Sequence, residues 1–246
     1  MRRYVWRGGF VECDVPDGPL DVADSWRHSN GRTNGLHLHL ARFSRVAGRL
    51  PEGYVDRLMS LLHEGELFPR IALSQGQLLL DVRSAPSPRS STALTYAQAS
   101  DPRTRPEVKG PDFAAFGAYR SRYQVEGTDD AVIVNKDGSM LETTTGALVM
   151  WDGDALCVSD GVRLPSVTLH QVVARAETLG LPVVRRRLTP ELAAAHPLWF
   201  LNSLHGISPV SELYVGDTVI TPPAHPCFDE WHDWWWGGFT VEWPGC

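Results

Sequence analysis

Three side chains in this sequence stand where they could do chemistry. Glu142 lies within DAVIVNKDGSMLETTTGALVMW, residues 130–151, between apolar runs at 131–135 and 148–151 and after a Lys136-Asp137-Gly138 turn. A charged residue set among strands this apolar either points to solvent, the ordinary outcome, or has a buried cationic partner. Lys109 is one of only two lysines; the other, Lys136, sits in the tight turn and faces solvent. A lysine amine becomes a nucleophile when burial beside other cations holds it unprotonated, whereas in a linker it is only a solvated charge. Arg42 belongs to His39-Leu40-Ala41-Arg42-Phe43, which opens a helix. A guanidinium offers phosphate oxygens a planar fork of donors and stays charged at any working pH; on an isolated amphipathic helix it would be an ordinary surface arginine.

The elements that must position these groups follow from periodicity and turn formers. Residues 4–6 and 9–11 pattern as a hairpin, and residues 22–28 and 35–38 as a second one around the turn-rich 29–34. The spacing of Val55, Leu58, Met59, Leu61 and Leu62 predicts a core-facing helix over 53–66. Strands at 69–73 and 77–82 flank Ser74-Gln75-Gly76, and a further strand covers 92–96. Composition then shifts to Pro, Ser, Thr, Arg and Asp, which places a domain linker at about 98–106. The expected organisation is therefore a small N-terminal domain over 1–105 and a larger one over 107–246. In the second, helices are expected at 112–125 and 169–179, the latter closed by Gly180. Residues 199–207 read as a buried strand entering a turn.

Composition narrows the class. At 246 residues the chain can bury a sizeable core, and a net charge of −6 with no basic stripe argues against nucleic acid as partner. Arg185-Arg186-Arg187, the only basic cluster, reads as an exposed strand end. No run approaches eighteen apolar residues and the N-terminus has no apolar signal core, so no membrane partner and a cytoplasmic chain are expected. Cys13, Cys157, Cys227 and Cys246 are scattered, as reduced thiols would be. The tail over 222–246 holds Trp231, Trp234, Trp235, Trp236 and Trp243 with His225, Cys227 and His232; aromatic density of this kind is packing, and the His and Cys spacing fits no standard zinc site, so no metal is expected.

The order of the spaced segments resembles the fold-type IV pyridoxal-phosphate enzymes, which include branched-chain and D-amino-acid aminotransferases and 4-amino-4-deoxychorismate lyase. That family's pattern is a Schiff-base lysine, then D-E-A-L-L-L-D-x-D-G-x-V-x-E-G-T-T-S-N, then L-P-G-V-T-R, then T-N-S-L-x-G-I-x-P-V. Here the counterparts are Lys109, residues 129–147, Leu164-Pro165-Ser166-Val167-Thr168 and Leu201-Asn202-Ser203-Leu204-His205-Gly206-Ile207-Ser208-Pro209-Val210. The lysine-to-glutamate separation, 142 − 109 = 33 positions, also matches. The resemblance spans residues 6–210.

The resemblance implies a two-domain α/β (α+β) fold with pyridoxal 5'-phosphate in the cleft, a small-molecule amino substrate and a homodimer. It gives Lys109 the imine and the proton transfers, Arg42 the cofactor phosphate, and Glu142 the ring nitrogen. Val167 and Thr168 at a helix start, with Ser203 and Leu204, would add phosphate contacts. Ser25, Arg27, Arg83 and His205 are the substrate-side candidates; Arg70 stands beside Arg83 as a basic candidate on these strands, and Gln75 stands where the family often has arginine. The N-S-L-x-G-I-x-P-V wording is closest to the aminodeoxychorismate lyases, with an aminotransferase as the alternative reaction and a cofactor-free relic as the third. The chain departs from the pattern at 19–25, at Ala114, where a tyrosine is usual, and at 143–147, and the group that would hold the ring hydroxyl is not named by it.

Overall fold

A computed structural model describes residues 1–16 and 18–241. Trp243 and Cys246 lie outside the described residues. The chain divides into two compact units, one formed by Met1–Pro88, Val108–Pro111 and the residues from Trp234 on, the other by Arg89–Glu107 and Asp112–Asp233. This differs from the expected break at 98–106. Strand Thr92–Tyr96 pairs in parallel with Asp130–Val134 on one side and Gly206–Val215 on the other, so it belongs to the second unit, and the chain changes units at Pro88. Lys109 falls in a short return to the first.

The first unit is built on a five-stranded antiparallel sheet in the order Phe10–Glu12, Arg2–Trp6, Gln77–Val82, Arg70–Ser74, Val22–Ser25. The hairpin between the third and fourth of these turns on Gln75 and Gly76, both at positive φ (50° and 77°). Helix α1, Leu36–Ala47, packs on strand Val22–Ser25, and helix α2 covers Tyr54–Leu61. Leu36, His39 and Phe43 form the buried stripe of α1. The alternation Leu36-His37-Leu38 is therefore helical, not the second arm of a hairpin: Gly35 takes a left-handed φ of 81° and starts the helix there. The hairpin that does form is small, His28–Ser29 with Arg32–Thr33. Trp26, Phe43, Tyr54, Leu58, Ile71 and Leu80 make the core.

The second unit holds a nine-stranded mixed sheet running Met140–Thr143, Asp130–Val134, Thr92–Tyr96, Gly206–Val215, Leu198–Asn202, Ala147–Asp152, Ala155–Ser159, Val183–Arg186, with Thr218–Ile220 paired to Gly206–Val215. Strand Asp130–Val134 makes its hairpin with Met140–Thr143; Ala147–Asp152 pairs instead with Leu198–Asn202 and Ala155–Ser159. Glu142 thus lies inside a strand rather than between two. Helices α3, Phe113–Tyr123, α4, Val167–Thr178, and α5, Pro190–Ala193, belong to this unit. The chain's last helix, α6, covers Phe228–Gly237. In this unit Trp151, Trp199 and Trp231 form one aromatic cluster with His225 set against Trp151 and Trp199 at centroid distances of 4.6 and 5.1 Å, so the tail residues there are packing. Arg186, the last residue of strand Val183–Arg186, and Arg187 just after it form ion pairs with Asp152 and Asp137, at the surface as expected. Among the described residues no helix is long and apolar enough to cross a membrane.

Candidate active site

In the first unit, strand Val22–Ser25 is the last of its sheet, and its far edge receives the lysine. The Ala23 N–H donates to the Lys109 carbonyl at 2.7 Å. Gly110 beside it has φ +123°, and a Cβ there would lie 2.8 Å from Ala23 N, so only glycine allows this approach. Next along the strand, Asp24 is fully buried and binds two residues of α1. Arg42 donates through Nε to Asp24 Oδ2 and through Nη2 to Oδ1, both at 2.8 Å, and His39 Nδ1 lies 2.7 Å from Oδ1. Burial opposes the charge on Asp24, but Arg42 and His39 outweigh it and hold the carboxyl far below the usual range. Burial also lowers the proton affinity of His39; Asp24 works against this, while Arg42 and Lys109 add to it. The His39 ring is wholly buried, and its Nε2 has no hydrogen-bond partner among the described residues.

The substrate-side candidates of this unit are engaged locally. Arg27 donates through Nη1 and Nη2 to the Pro86 carbonyl at 3.0 and 2.8 Å and lies over Trp236 at 5.4 Å from the ring centroid. Arg83 donates to the Phe68 carbonyl at 3.0 Å and to Ser25 Oγ at 3.3 Å. Arg70 is paired with Asp81, its Nε 2.7 Å from Oδ2, and Gln75 is the turn residue described above.

In the second unit Glu142 is buried, so its strand presents it inward and not to solvent. The cation is Arg103, whose Nη1 donates to Glu142 Oε1. The backbone N–H of Leu164 donates to Oε2 at 3.2 Å. Three residues on, Val167 begins α4, with Ser166 as its N-cap accepting from Leu169 N at 3.3 Å. Thr168 Oγ1 lies 3.1 Å from Ser203 Oγ. Ser203 and Leu204 form the turn after strand Leu198–Asn202, where Asn202 Oδ1 accepts from Leu204 N at 3.1 Å and His205 N at 2.7 Å. His205 is buried in that turn. Sequence reading therefore brings Glu142, Val167, Thr168, Ser203, Leu204 and His205 to one unit, and Arg42, Lys109, Ser25, Arg27 and Arg83 to the other.

The threonines where the family pattern is poorly kept are structural. Asp130, also fully buried, accepts from Thr143 Oγ1 at 2.7 Å, Thr145 Oγ1 at 2.5 Å, Thr145 N at 2.9 Å and Thr144 Oγ1. Sequence reading missed three residues: Asp24, His39 and Arg103. The first two carried a signal, since His39 and Arg42 are three apart on a helix and share one neighbour. Arg103 carried none beyond the rule that a buried carboxylate needs a cation.

A family model described as amino-transferase class IV matches residues 21–213, a span holding Asp24, His39, Arg42, Lys109, Glu142, Thr168 and Ser203. The chain belongs to the class IV aminotransferase family. By sequence, no curated protein matches it. Among solved structures, a hypothetical aminotransferase from Mycobacterium tuberculosis with α-ketoglutarate and PMP bound is similar over 97% of this chain and 98% of that one, with TM-score 0.77 and 17% identity. A branched-chain aminotransferase from Thermoproteus uzoniensis with norvaline matches over 96% and 93%, with TM-score 0.76 and 14% identity. The 4-amino-4-deoxychorismate lyase of Pseudomonas aeruginosa matches over 90% and 95%, with TM-score 0.70 and 17% identity. At these identities the likeness shows the class IV fold.

Proposed function

We propose that this class IV chain is a pyridoxal-phosphate enzyme, and that its reaction is the lyase one: 4-amino-4-deoxychorismate to 4-aminobenzoate and pyruvate. The observation that carries the cofactor reading is the hydrogen bond from Leu164 N to Glu142, because it ties a buried carboxylate to the segment that opens α4. An anionic acceptor suits a protonated ring nitrogen, and the amides of a helix start with the Thr168 and Ser203 hydroxyls suit a phosphate. In the second unit the residues present fit the group; in the first, Asp24 fixes the direction of the Arg42 guanidinium, and the buried His39 Nε2 has no hydrogen-bond partner among the described residues.

Bound there, the cofactor supplies an electron-accepting ring that stabilises negative charge at the substrate carbon bearing the amine. The chain's own residues do the rest. The backbone of Lys109 is fastened at Ala23, and its Nζ would take the proton from the substrate carbon bearing the amine and return it to the methylene carbon of the enolpyruvyl group as the C–O bond at the neighbouring ring carbon breaks, so that pyruvate leaves and the substrate's own ring becomes aromatic. Asp24 fixes the direction of the Arg42 guanidinium, the group proposed for the phosphate. Glu142 holds the ring-nitrogen proton.

The lyase is preferred over transamination on the segment Asn202-Ser203-Leu204-His205-Gly206-Ile207-Ser208-Pro209-Val210. The aminotransferase alternative is favoured by the solved structures from Mycobacterium tuberculosis and Thermoproteus uzoniensis. The chain is taken to act as a cytoplasmic homodimer; light scattering on the purified protein checks the assembly. The test of the reaction is an absorption spectrum with pyridoxal phosphate, followed by aminodeoxychorismate or by a panel of amino acids. A visible-edge band that persists while pyruvate and aminobenzoate accumulate supports the lyase. Conversion to the pyridoxamine form by an amino acid, reversed by a keto acid, replaces it with the transaminase; no band removes the cofactor reading altogether.

A further inference from the structure

The stretch that composition marks as a linker is a folded loop, and it delivers a cation to Glu142. Its anchor is Asp112, which stands at the N-cap position of α3 yet makes no side-chain bond to its own helix. The carboxylate turns back instead: Oδ1 accepts from Thr104 N at 3.0 Å and Thr104 Oγ1 at 2.6 Å, and Oδ2 from Arg105 N at 3.0 Å. Burial disfavours its charge, but these bonds prevail and hold its pKa below the usual value. With residues 104 and 105 pinned, the Arg103 side chain is 2% exposed and its guanidinium is used on every side. Nε and Nη2 donate to Asp101 at 2.9 and 2.8 Å, Nη2 also to the Val162 carbonyl at 3.1 Å, and Nη1 to Glu142. Burial works to lower the proton affinity of such a group, yet Asp101 and Glu142 more than offset this and raise its pKa.

A buried arginine between two carboxylates is costly to assemble and has one geometric result: it fixes the direction of the carboxylates it binds, of which Glu142 is the buried one. Val162 and Leu164 flank the same site, so one loop and one segment before α4 grip the carboxylate from two directions.

We infer that Asp101 and Arg103 are positioning residues for Glu142, holding its carboxylate in the orientation that receives the cofactor ring and balancing its charge. This rests on the reading of Glu142 given above. Two roles are distinguishable for Arg103: it can present Glu142 to the ring, or compete with the ring for it. The shape of the bonds favours presentation, because the carboxylate is held at Oε1 by Arg103 and at Oε2 by a backbone amide, which sets its plane without moving the strand.

The experiment titrates the full chain with pyridoxal phosphate and follows dissociation constant, the pH midpoint of the bound cofactor's absorbance, and the melting temperature of the ligand-free protein. Wild type is measured first; if it binds no pyridoxal phosphate, the cofactor reading itself fails before any variant is made. Given binding, Arg103→Met is expected to weaken it about tenfold or more and to displace the absorbance midpoint, with Arg103→Lys recovering part of both. Asp101→Asn, whose side chain is 34% exposed, is expected to move both readouts in the same direction by less, and it carries the test should Arg103→Met not fold. Wild-type affinity and midpoint in folded Arg103→Lys and Asp101→Asn would overturn the inference. So would tighter binding by Arg103→Met, which would make the guanidinium a competitor.

Discussion

Both carboxylate oxygens of Asp24 are bound by Arg42, at 2.8 Å each, and His39 shares Oδ1 with it. An arginine held this way has its direction fixed before any ligand arrives. Asp24→Asn leaves the Arg42 charge unbalanced in a buried site, and a loss of about 3–5 kcal/mol in folding stability is expected. Denaturant unfolding checks the stability, and the dissociation constant for pyridoxal phosphate, expected to rise, checks the preset direction. An unchanged midpoint would mean that the pair contributes no net stability.

The same cluster sets an acid limit. His39 is buried with a lowered pKa, so the unfolded chain takes up its proton at an ordinary value of 6.5 while the folded chain does not; stability is present above that pH and is lost as pH falls below it. His28, buried with its pKa lowered first by desolvation, adds to the same slope. Asp24 acts further down: its depressed pKa contributes stability that is lost as pH falls below the unfolded value of 3.8. Urea midpoints measured from pH 7 to about pH 2 should therefore decline in two stages, and His39→Asn should flatten the upper one.

Gly110 makes the approach of Lys109 to strand Val22–Ser25 possible. Gly110→Ala adds a methyl 2.8 Å from Ala23 N at a φ of +123°, so the backbone must shift. A cost of about 1–3 kcal/mol is expected, together with reduced labelling of Lys109 by pyridoxal phosphate and borohydride. Gly8→Ala, where a Cβ would meet nothing within 4 Å but φ is also positive, is the control for backbone strain alone.

Lys109→Ala and Glu142→Gln separate the two proposed roles. The first is expected to abolish turnover and borohydride-stable cofactor attachment while the melting temperature stays within about 2 °C. The second should keep the attachment and slow turnover by about a hundredfold. Attachment surviving in Lys109→Ala, or full turnover in Glu142→Gln, would remove the corresponding assignment.

Much of this fold was legible because burial follows pattern. Thr92–Tyr96 and Gln77–Val82 lie where their residue types place strands, and Tyr54–Leu61 is a helix where its leucines recur, though shorter than the periodicity suggests. Local pattern misled where a few residues fit two periods: Leu36-His37-Leu38 alternates like a strand, but Leu36 is the first of three core positions on α1. It misled again at 101–106, where Pro, Arg, Thr and Asp have the composition of a linker although the side chains of Arg103 and Thr104 are spent on Glu142 and Asp112. The buried cation facing Glu142 lies 39 positions away in sequence, which no local window spans. Asp24 was hidden for the complementary reason: its strand is short and its partners come from a later helix.

The scarcity of lysine gives the chain a built-in assay. Lys136 is exposed in a turn closed by a bond from Gly138 N to Asn135 O at 2.9 Å, and Lys109 is the only other lysine. A protease that cuts after lysine releases three peptides from the denatured chain: 1–109, 110–136 and 137–246. Any group fixed to the Lys109 amine erases one cut and fuses the first two, while the cut at Lys136 goes on reporting that digestion was complete. Occupancy of a single nitrogen atom can then be read as a ratio of peptide masses, with no substrate identified and no turnover measured.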